Sequence, residues 1–498
     1  MDDVPEHLQK IYLSNALDQV LANPTAAHAW HHLAQHFVAC GPQLQQQIVS
    51  LLHSNLPADG VVGFMRATFC ASMTQQRQYF VEAGKILLKL QPIHLDRILA
   101  FLGYAWAKLL GNCENTQAFI ADINAYCFPQ LIQRCAELLA AAASKQLPAR
   151  KIEHIKKVAV VGPHLSTTAH APTRLLLQHA ALWMTQGADV RAFSCQDLRI
   201  TNMPQLFGNG EDFNLYEGDV EQWATLLPQP LSLHLGNTQL GLLRRYANML
   251  EPLAEYDPDL IFFVGMYSPL IEVLFPQRPV LVLGVHALPP VASCDVWLAA
   301  DASLAGSTEN PWSNALSVGA AFPYSWRITL PPHQALNRLN VNVPPDAFIL
   351  VCVGYRLGQE IAGEWAQRLC QFLAQRPDAL LLLLGTADIP DAMQSVDSEQ
   401  IIALGNQENV AGILDCCDIY LNPVRMGGGF SVLEAMAASL PVLALADGDG
   451  GKKLGEYAQP DLATYFAQLD LLSQDAMLRQ QLRTGANHAI CADKHAAP

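Results

Sequence analysis

Between Val158 and Gly451 the chain contains no lysine. Any cation in that stretch must be an arginine, unless Lys452 or Lys453 reaches in from its end. Basic residues are scarce throughout, with 30 Lys and Arg against 45 Asp and Glu and a formal charge of −15. That balance excludes nucleic acid and anionic membrane as main partners, since both reward clustered positive charge. No apolar run approaches the roughly 20 residues that cross a bilayer, so no transmembrane segment is expected. The start MDDVPEHLQK is acidic and polar, without the basic and apolar parts of a signal peptide. The 12 cysteines show no CxxC or Cys/His spacing, so no metal site is expected. Free thiols in a chain without a leader point to a reducing, cytoplasmic setting. What the chain does have is apolar content, 51% of 498 residues, enough for about three globular domains.

The stretch CCDIYLNPVRMGGGFSVLEAMAASLPVLAL, residues 416–445, carries the strongest signal. A short apolar strand (Ile419, Tyr420, Leu421) breaks at Asn422-Pro423 and runs into Gly427, Gly428 and Gly429. A helix follows from about Phe430 to Ser439, and a second buried strand from Val442 to Leu445. This is a βαβ unit, whose ligands lie beyond the carboxyl ends of the strands. Glycines without Cβ let the backbone approach a ligand, and the free N–H groups of the next helical turn favour a phosphate. Glu434 falls on a different side of the helix from Leu433, Met436, Ala437 and Leu440, which are expected to form the buried stripe. A carboxylate there can accept hydrogen bonds from the vicinal hydroxyls of a ribose. Loop and glutamate together describe a sugar-nucleotide site. The plainer alternative is a turn that only lets a helix pack closely, with Glu434 on a solvated face.

Residues 1–150 read as helices throughout, in amphipathic runs such as Gln9 to Ala22, His28 to Cys40, Pro42 to His53, Gln75 to Leu90 and Gln130 to Ser144. No repeat is sustained at 34 residues, so an all-α domain is expected. A first α/β lobe is expected over 151–335, with strands at Val158–Val161, Val190–Phe193, Leu260–Val264, Val280–Leu283 and Val296–Ala299. Little can be assigned over 198–236, and 302–345 reads as the crossing between two lobes. A second α/β lobe is expected over 336–498, with strands at Phe348–Val353, Ala379–Leu384 and Ile401–Leu404 ahead of the glycine stretch. Two Rossmann-like lobes in series would face each other across a cleft, the second holding the nucleotide and the first the acceptor.

The second lobe resembles the GT-B glycosyltransferases, on a strand ending in Gly354-Tyr355-Arg356, on Leu404-Gly405, on CDIYLNP and on GGGFSVLEAMAASLPVLAL. The first lobe is similar to the O-GlcNAc transferases and the soluble bacterial adhesin glucosyltransferases, on PDLIFFVGMY, QRPVLVLGVHALPPVASCDVWLAAD and PHLSTTAHAPTR. The resemblance implies transfer of a hexose from a UDP-sugar to a protein side chain, with inversion and without metal or further cofactor. By position it implies that Gly427, Gly428, Gly429 and Phe430 hold the pyrophosphate and Glu434 the ribose. Gly405, Asn406 and Asn409 would lie along the base, and Arg356 would oppose the phosphate charge. Where many GT-B enzymes have two acidic residues eight apart, this chain has Met426 and Glu434. The lysine that neutralises the leaving diphosphate is missing, which leaves Arg356 or Arg425 to offer a bidentate fork.

An acceptor must lose a proton, and histidine has a suitable pKa for the base. The candidates are His170 and His286, each on a loop at a strand end. Two other readings stay open: a GT-B transferase acting on a lipid-linked or polysaccharide acceptor, and a silent GT-B body whose helices bind a partner.

Overall fold

A computed structural model of the chain describes residues 6–483 apart from 92, 113–114, 149, 166–169, 198–226, 228, 287, 300–309, 313–314, 325–333 and 342. The first part is helical, with Glu6–Ala22, Ala27–Phe37, Pro42–Asn55, Gly60–Thr74, Arg77–Lys89, Leu95–Asn112, Thr116–Ala125 and Phe128–Ala142. Proline stands in the opening turn of the third and the last of these, where its missing N–H has no intrahelical partner to lose. Trp30, Phe37, Phe64 and Phe69 are fully buried between them, with Trp30 and Phe69 centroids 5.3 Å apart. The Trp30 indole N–H donates to the Pro24 carbonyl at 2.9 Å, so the large ring is buried without an orphaned donor.

The first sheet is wholly parallel: β1 (Lys157–Val161), β2 (Asp189–Ser194), β3 (Ser232–Leu235), β4 (Leu260–Val264), β5 (Val280–Leu283), β6 (Cys294–Ala299) and β7 (Val318–Pro323), in the order β3-β2-β1-β4-β5-β6-β7. Strands such as β4, buried at every position, need no polar face, because parallel sheets are covered on both sides. Two strands lie where none was expected. β3, at Ser-Leu-His-Leu, is half-buried at the sheet edge, and β7, at Val-Gly-Ala-Ala-Phe-Pro, has little β-branched content; neither segment is rich in the residues that favour strands. Residues 302–345 therefore contain the last strand of the first sheet as well as the crossing. Most of the unassigned segment 198–236 falls outside the described residues.

The second sheet, also parallel, holds β8 (Phe348–Val353), β9 (Ala379–Leu384), β10 (Ile401–Gly405), β11 (Ile419–Leu421) and β12 (Val442–Leu443), ordered β10-β9-β8-β11-β12. Its strands divide their side chains by the two-residue period. Leu350, Cys352, Leu381 and Leu383 pack on one face with Trp365, Leu369 and Tyr465. Ile349, Val351, Leu382 and Leu384 pack on the other with Tyr420 and Val432. Two helices, Leu357–Glu360 and Gly363–Gln375, follow β8, with Gly363 at φ +59°. A short helix covers Val410–Leu414, and the helix expected from about Phe430 to Ser439 runs over Gly429–Ala437. Helices at Gly448–Leu454 and Leu462–Gln474 follow.

The chain divides into two compact units. One joins the helices to the first sheet (Met1–Ala107, Ile120–Val285, Pro289–Tyr324), and the other is built on Ser325–Pro498 with Lys108–Phe119 and His286–Leu288 added.

Candidate active site

In the second sheet the strand order reverses between β8 and β11, which pair through Ile419 and Leu350. Beyond the carboxyl ends of such a strand pair the connections diverge to opposite sides and leave a crevice. Gly354 and Arg356 leave β8 there, and the segment from Asn422 to the glycines leaves β11.

A buried polar network fixes the glycine segment from beneath. The Arg425 guanidinium donates to Glu360 Oε2 at 2.6 Å, Asn422 Oδ1 at 2.9 Å, the Val353 carbonyl at 3.0 Å and the Tyr420 hydroxyl at 3.1 Å. Tyr420 in turn donates to Ser431 Oγ at 2.9 Å, and Ser431 to the Gly428 carbonyl at 3.0 Å. Burial pushes the Glu360 carboxyl up, but the Arg425 and Arg356 guanidinium groups outweigh it and hold it below the usual range. Arg425 is thus a clamp on the loop. Its donors point at protein oxygens.

Arg356 shares the same carboxylate from the outer side, its Nη2 3.0 Å from Glu360 Oε1, and keeps 30% of its side chain exposed. It stands 3.5 Å from where a Cβ on Gly427 would lie. Gly428 caps the following helix at φ +89°, and a Cβ there would come within 2.5 Å of Arg425 Nε and Asn422 Oδ1. Two demands therefore separate within the triplet. Gly428 is required by the fold, whereas a Cβ on Gly427 would meet nothing closer than Arg356. The helix Gly429–Ala437 buries Val432 and Ala435, with Leu440 beyond its end. Leu433, Met436 and Ala437 are only half-buried, so of the expected stripe Leu440 alone is buried. Phe430 and Glu434 are half-buried on this helix.

The segment expected along a base is mostly committed to the fold. Gly405, at φ +64° on a bulge of β10, donates to the Thr386 carbonyl and accepts from the Gly385 N–H, each at 2.8 Å. Asn409 caps Val410–Leu414 by accepting from the Gly412 N–H at 3.1 Å and donates to the Gln334 carbonyl at 2.7 Å. Asn406 is exposed.

The two histidine candidates separate. His170 belongs to the first unit, buried at the start of the helix Ala171–Thr185 with Nδ1 2.8 Å from the Thr173 hydroxyl. Burial, then the charge of His164, pushes its pKa down to about 3. His286 groups with the second unit, its Cε1 3.9 Å from the Cβ position of Gly427 and its Nδ1 2.8 Å from Asp449 Oδ2. Asp449 lies in the first turn of the helix Gly448–Leu454 and was not anticipated, nor was Glu360. The latter was findable, as a carboxylate four residues after Arg356. Lys453, one turn past Asp449, is held below the ordinary lysine range by burial, which the Asp449 carboxylate only partly offsets.

Residues 347–469 match the family described as Glycosyl transferases group 1. With two parallel sheets behind a helical region, the chain has the GT-B fold, and residues 347–469 carry a glycosyltransferase domain. Along 97% of its length, and 90% of the other chain, it is similar to a substituted form of the O-GlcNAc transferase of Thermobaculum terrenum, at 14% identity and a TM-score of 0.52. A glycosyltransferase from Rickettsia africae matches at 11% identity over 68% of this chain and 94% of that one, with a TM-score of 0.44. A lipopolysaccharide outer core galactosyltransferase matches at 14% over 66% and 90%, with a TM-score of 0.39. No curated protein sequence matches the chain. Among the described residues no helix is long and apolar enough to cross a membrane, and no group of three metal-ligating side chains occurs.

Proposed function

We propose that the chain moves a hexose of the glucose or GlcNAc type from a UDP-sugar to a protein side chain, with inversion and without a metal. The observation that carries this reading is the glycine segment, locked from below by the Glu360–Arg425 pair and bordered at Gly427 by Arg356 and His286. Main-chain N–H groups at the start of Gly429–Ala437 would receive the diphosphate, where the helix dipole favours an anion. Arg356, partly exposed and already oriented by Glu360, would oppose the charge that develops as the diphosphate leaves. Glu434, on the next turn of the same helix, would accept from the ribose hydroxyls. His286 would take the acceptor proton. The ten cysteines among the described residues are all free thiols, which supports a cytoplasmic setting.

The test is transfer from a panel of UDP-hexoses to protein, polysaccharide and lipid-linked acceptors, with mass spectrometry of the products and a chelator in one arm. A hexose on a protein side chain, unaffected by chelator, is the expected product. Product only on a glycan or lipid would replace the acceptor assignment, and no release of UDP from any donor would sink the enzymatic reading.

A further inference from the structure

His286 and Asp449 are 163 residues apart in the chain and meet at 2.8 Å, Nδ1 to Oδ2. Their side chains are only 12% and 9% exposed, so the contact is sheltered from the water and salt that weaken surface pairs. An ionised carboxylate only accepts, so the proton of this bond sits on Nδ1, and the neutral imidazole then has its lone pair on Nε2. Asp449 is itself tied to the glycine segment. Its backbone N–H donates to the Met426 carbonyl at 3.0 Å, and its Cβ lies 3.0 Å from the Cβ position of Gly429. The carboxylate is therefore built into the wall of the loop that would seat the diphosphate, and the ring it holds stands beside Gly427.

We propose that Asp449 is a positioning residue for His286, fixing the Nδ1–H tautomer so that Nε2 receives the acceptor's proton. This rests on the reading of the site as a sugar-transfer centre. In the step, the acceptor oxygen or nitrogen bonds to the anomeric carbon as the bond from that carbon to the diphosphate oxygen breaks. The electron pair leaves on the diphosphate, and the acceptor proton passes to Nε2. The imidazolium formed faces the Asp449 carboxylate, which stabilises it without taking the proton. Two other charges bear on the pair: Arg356 beside Gly427, and Lys453 one turn beyond Asp449.

Asp449→Asn keeps the shape and removes the charge. With the wild-type chain as reference, kcat should fall at least about tenfold while the donor KM moves less than about threefold. The acid limb of kcat against pH should shift downward by about one unit or more, because the imidazolium loses its carboxylate. Asp449→Glu should restore part of the rate. A donor KM that carries the whole loss, with the acid limb unmoved, would overturn the proposal. Nitrogen-15 NMR of histidine-labelled protein, with the His286 signal identified by its loss in His286→Gln, reads the tautomer without any transfer. Nδ1–H in the wild-type chain and a mixture in Asp449→Asn is the expected pattern, and Nε2–H in the wild-type chain would overturn the proposal even if transfer occurs. Nδ1–H together with no transfer from any donor would instead remove the sugar-transfer reading, and this catalytic role with it, while the pairing stands.

Discussion

Glu360 has 1% of its side chain exposed and holds two arginines that do different work. Toward Arg425 it closes a buried pair, and removing one partner of such a pair strands the other charge at a cost of about 3–5 kcal/mol. Glu360→Gln should lower unfolding stability by that order in a urea titration. The folded carboxyl sits below its usual range, so the contribution is present above the unfolded pKa, about 4.3, and is lost as pH falls through the folded value. The gap between wild type and Glu360→Gln should therefore close in acid; a gap constant down to pH 2 would contradict the assignment. Arg356 sits on the other side of the carboxylate. Arg356→Ala and Glu434→Ala should each weaken UDP binding about tenfold, a loss of one charge-assisted contact, while leaving the fold intact by circular dichroism. Unchanged affinity in both would detach them from the nucleotide.

The triple glycine is one signal in the sequence and two requirements in the element. Gly428→Ala places a Cβ at φ +89° against Arg425 and Asn422 and should destabilise the second unit by several kcal/mol, about the sum of backbone strain and overpacking. Gly427→Ala should leave stability within about 1 kcal/mol and lower UDP affinity, because its Cβ would point toward Arg356 and His286. If both variants lose stability alike, the loop is a packing device and no more. This separation explains what could be read in advance. Buried parallel strands such as Leu260–Val264 and Ala379–Leu384 announce themselves by composition, and their bounds in the fold equal those read from the chain. β3 and β7 do not, since pairing to a neighbour already in place stabilises sequences with weak intrinsic preference. At the site, Gly427 to Gly429 and Arg356 were legible from motif and spacing. The buried contacts of Arg425 were not legible, because sequence cannot tell an arginine facing a carboxylate from one facing solvent. Asp449 was missed because its partner is 163 residues away.

At the scale of the whole molecule the chain is two compact units, and the candidate nucleotide residues all belong to the second. A ligand that binds only the folded form stabilises it by RT ln(1 + [L]/Kd), about 2.7 kcal/mol at one hundred times Kd. Saturating UDP should therefore slow amide exchange across 419–454 and leave the helices of residues 6–107 at their unliganded rates. Protection confined to the helices would place the nucleotide in the wrong unit. The most direct measurement is a crystal structure of the full chain with UDP. The diphosphate oxygens should lie within about 3 Å of the main-chain nitrogens between Gly427 and Phe430, with the ribose hydroxyls on Glu434. A nucleotide bound away from those amides, or a glycine segment left without ligand at saturating UDP, would contradict the account.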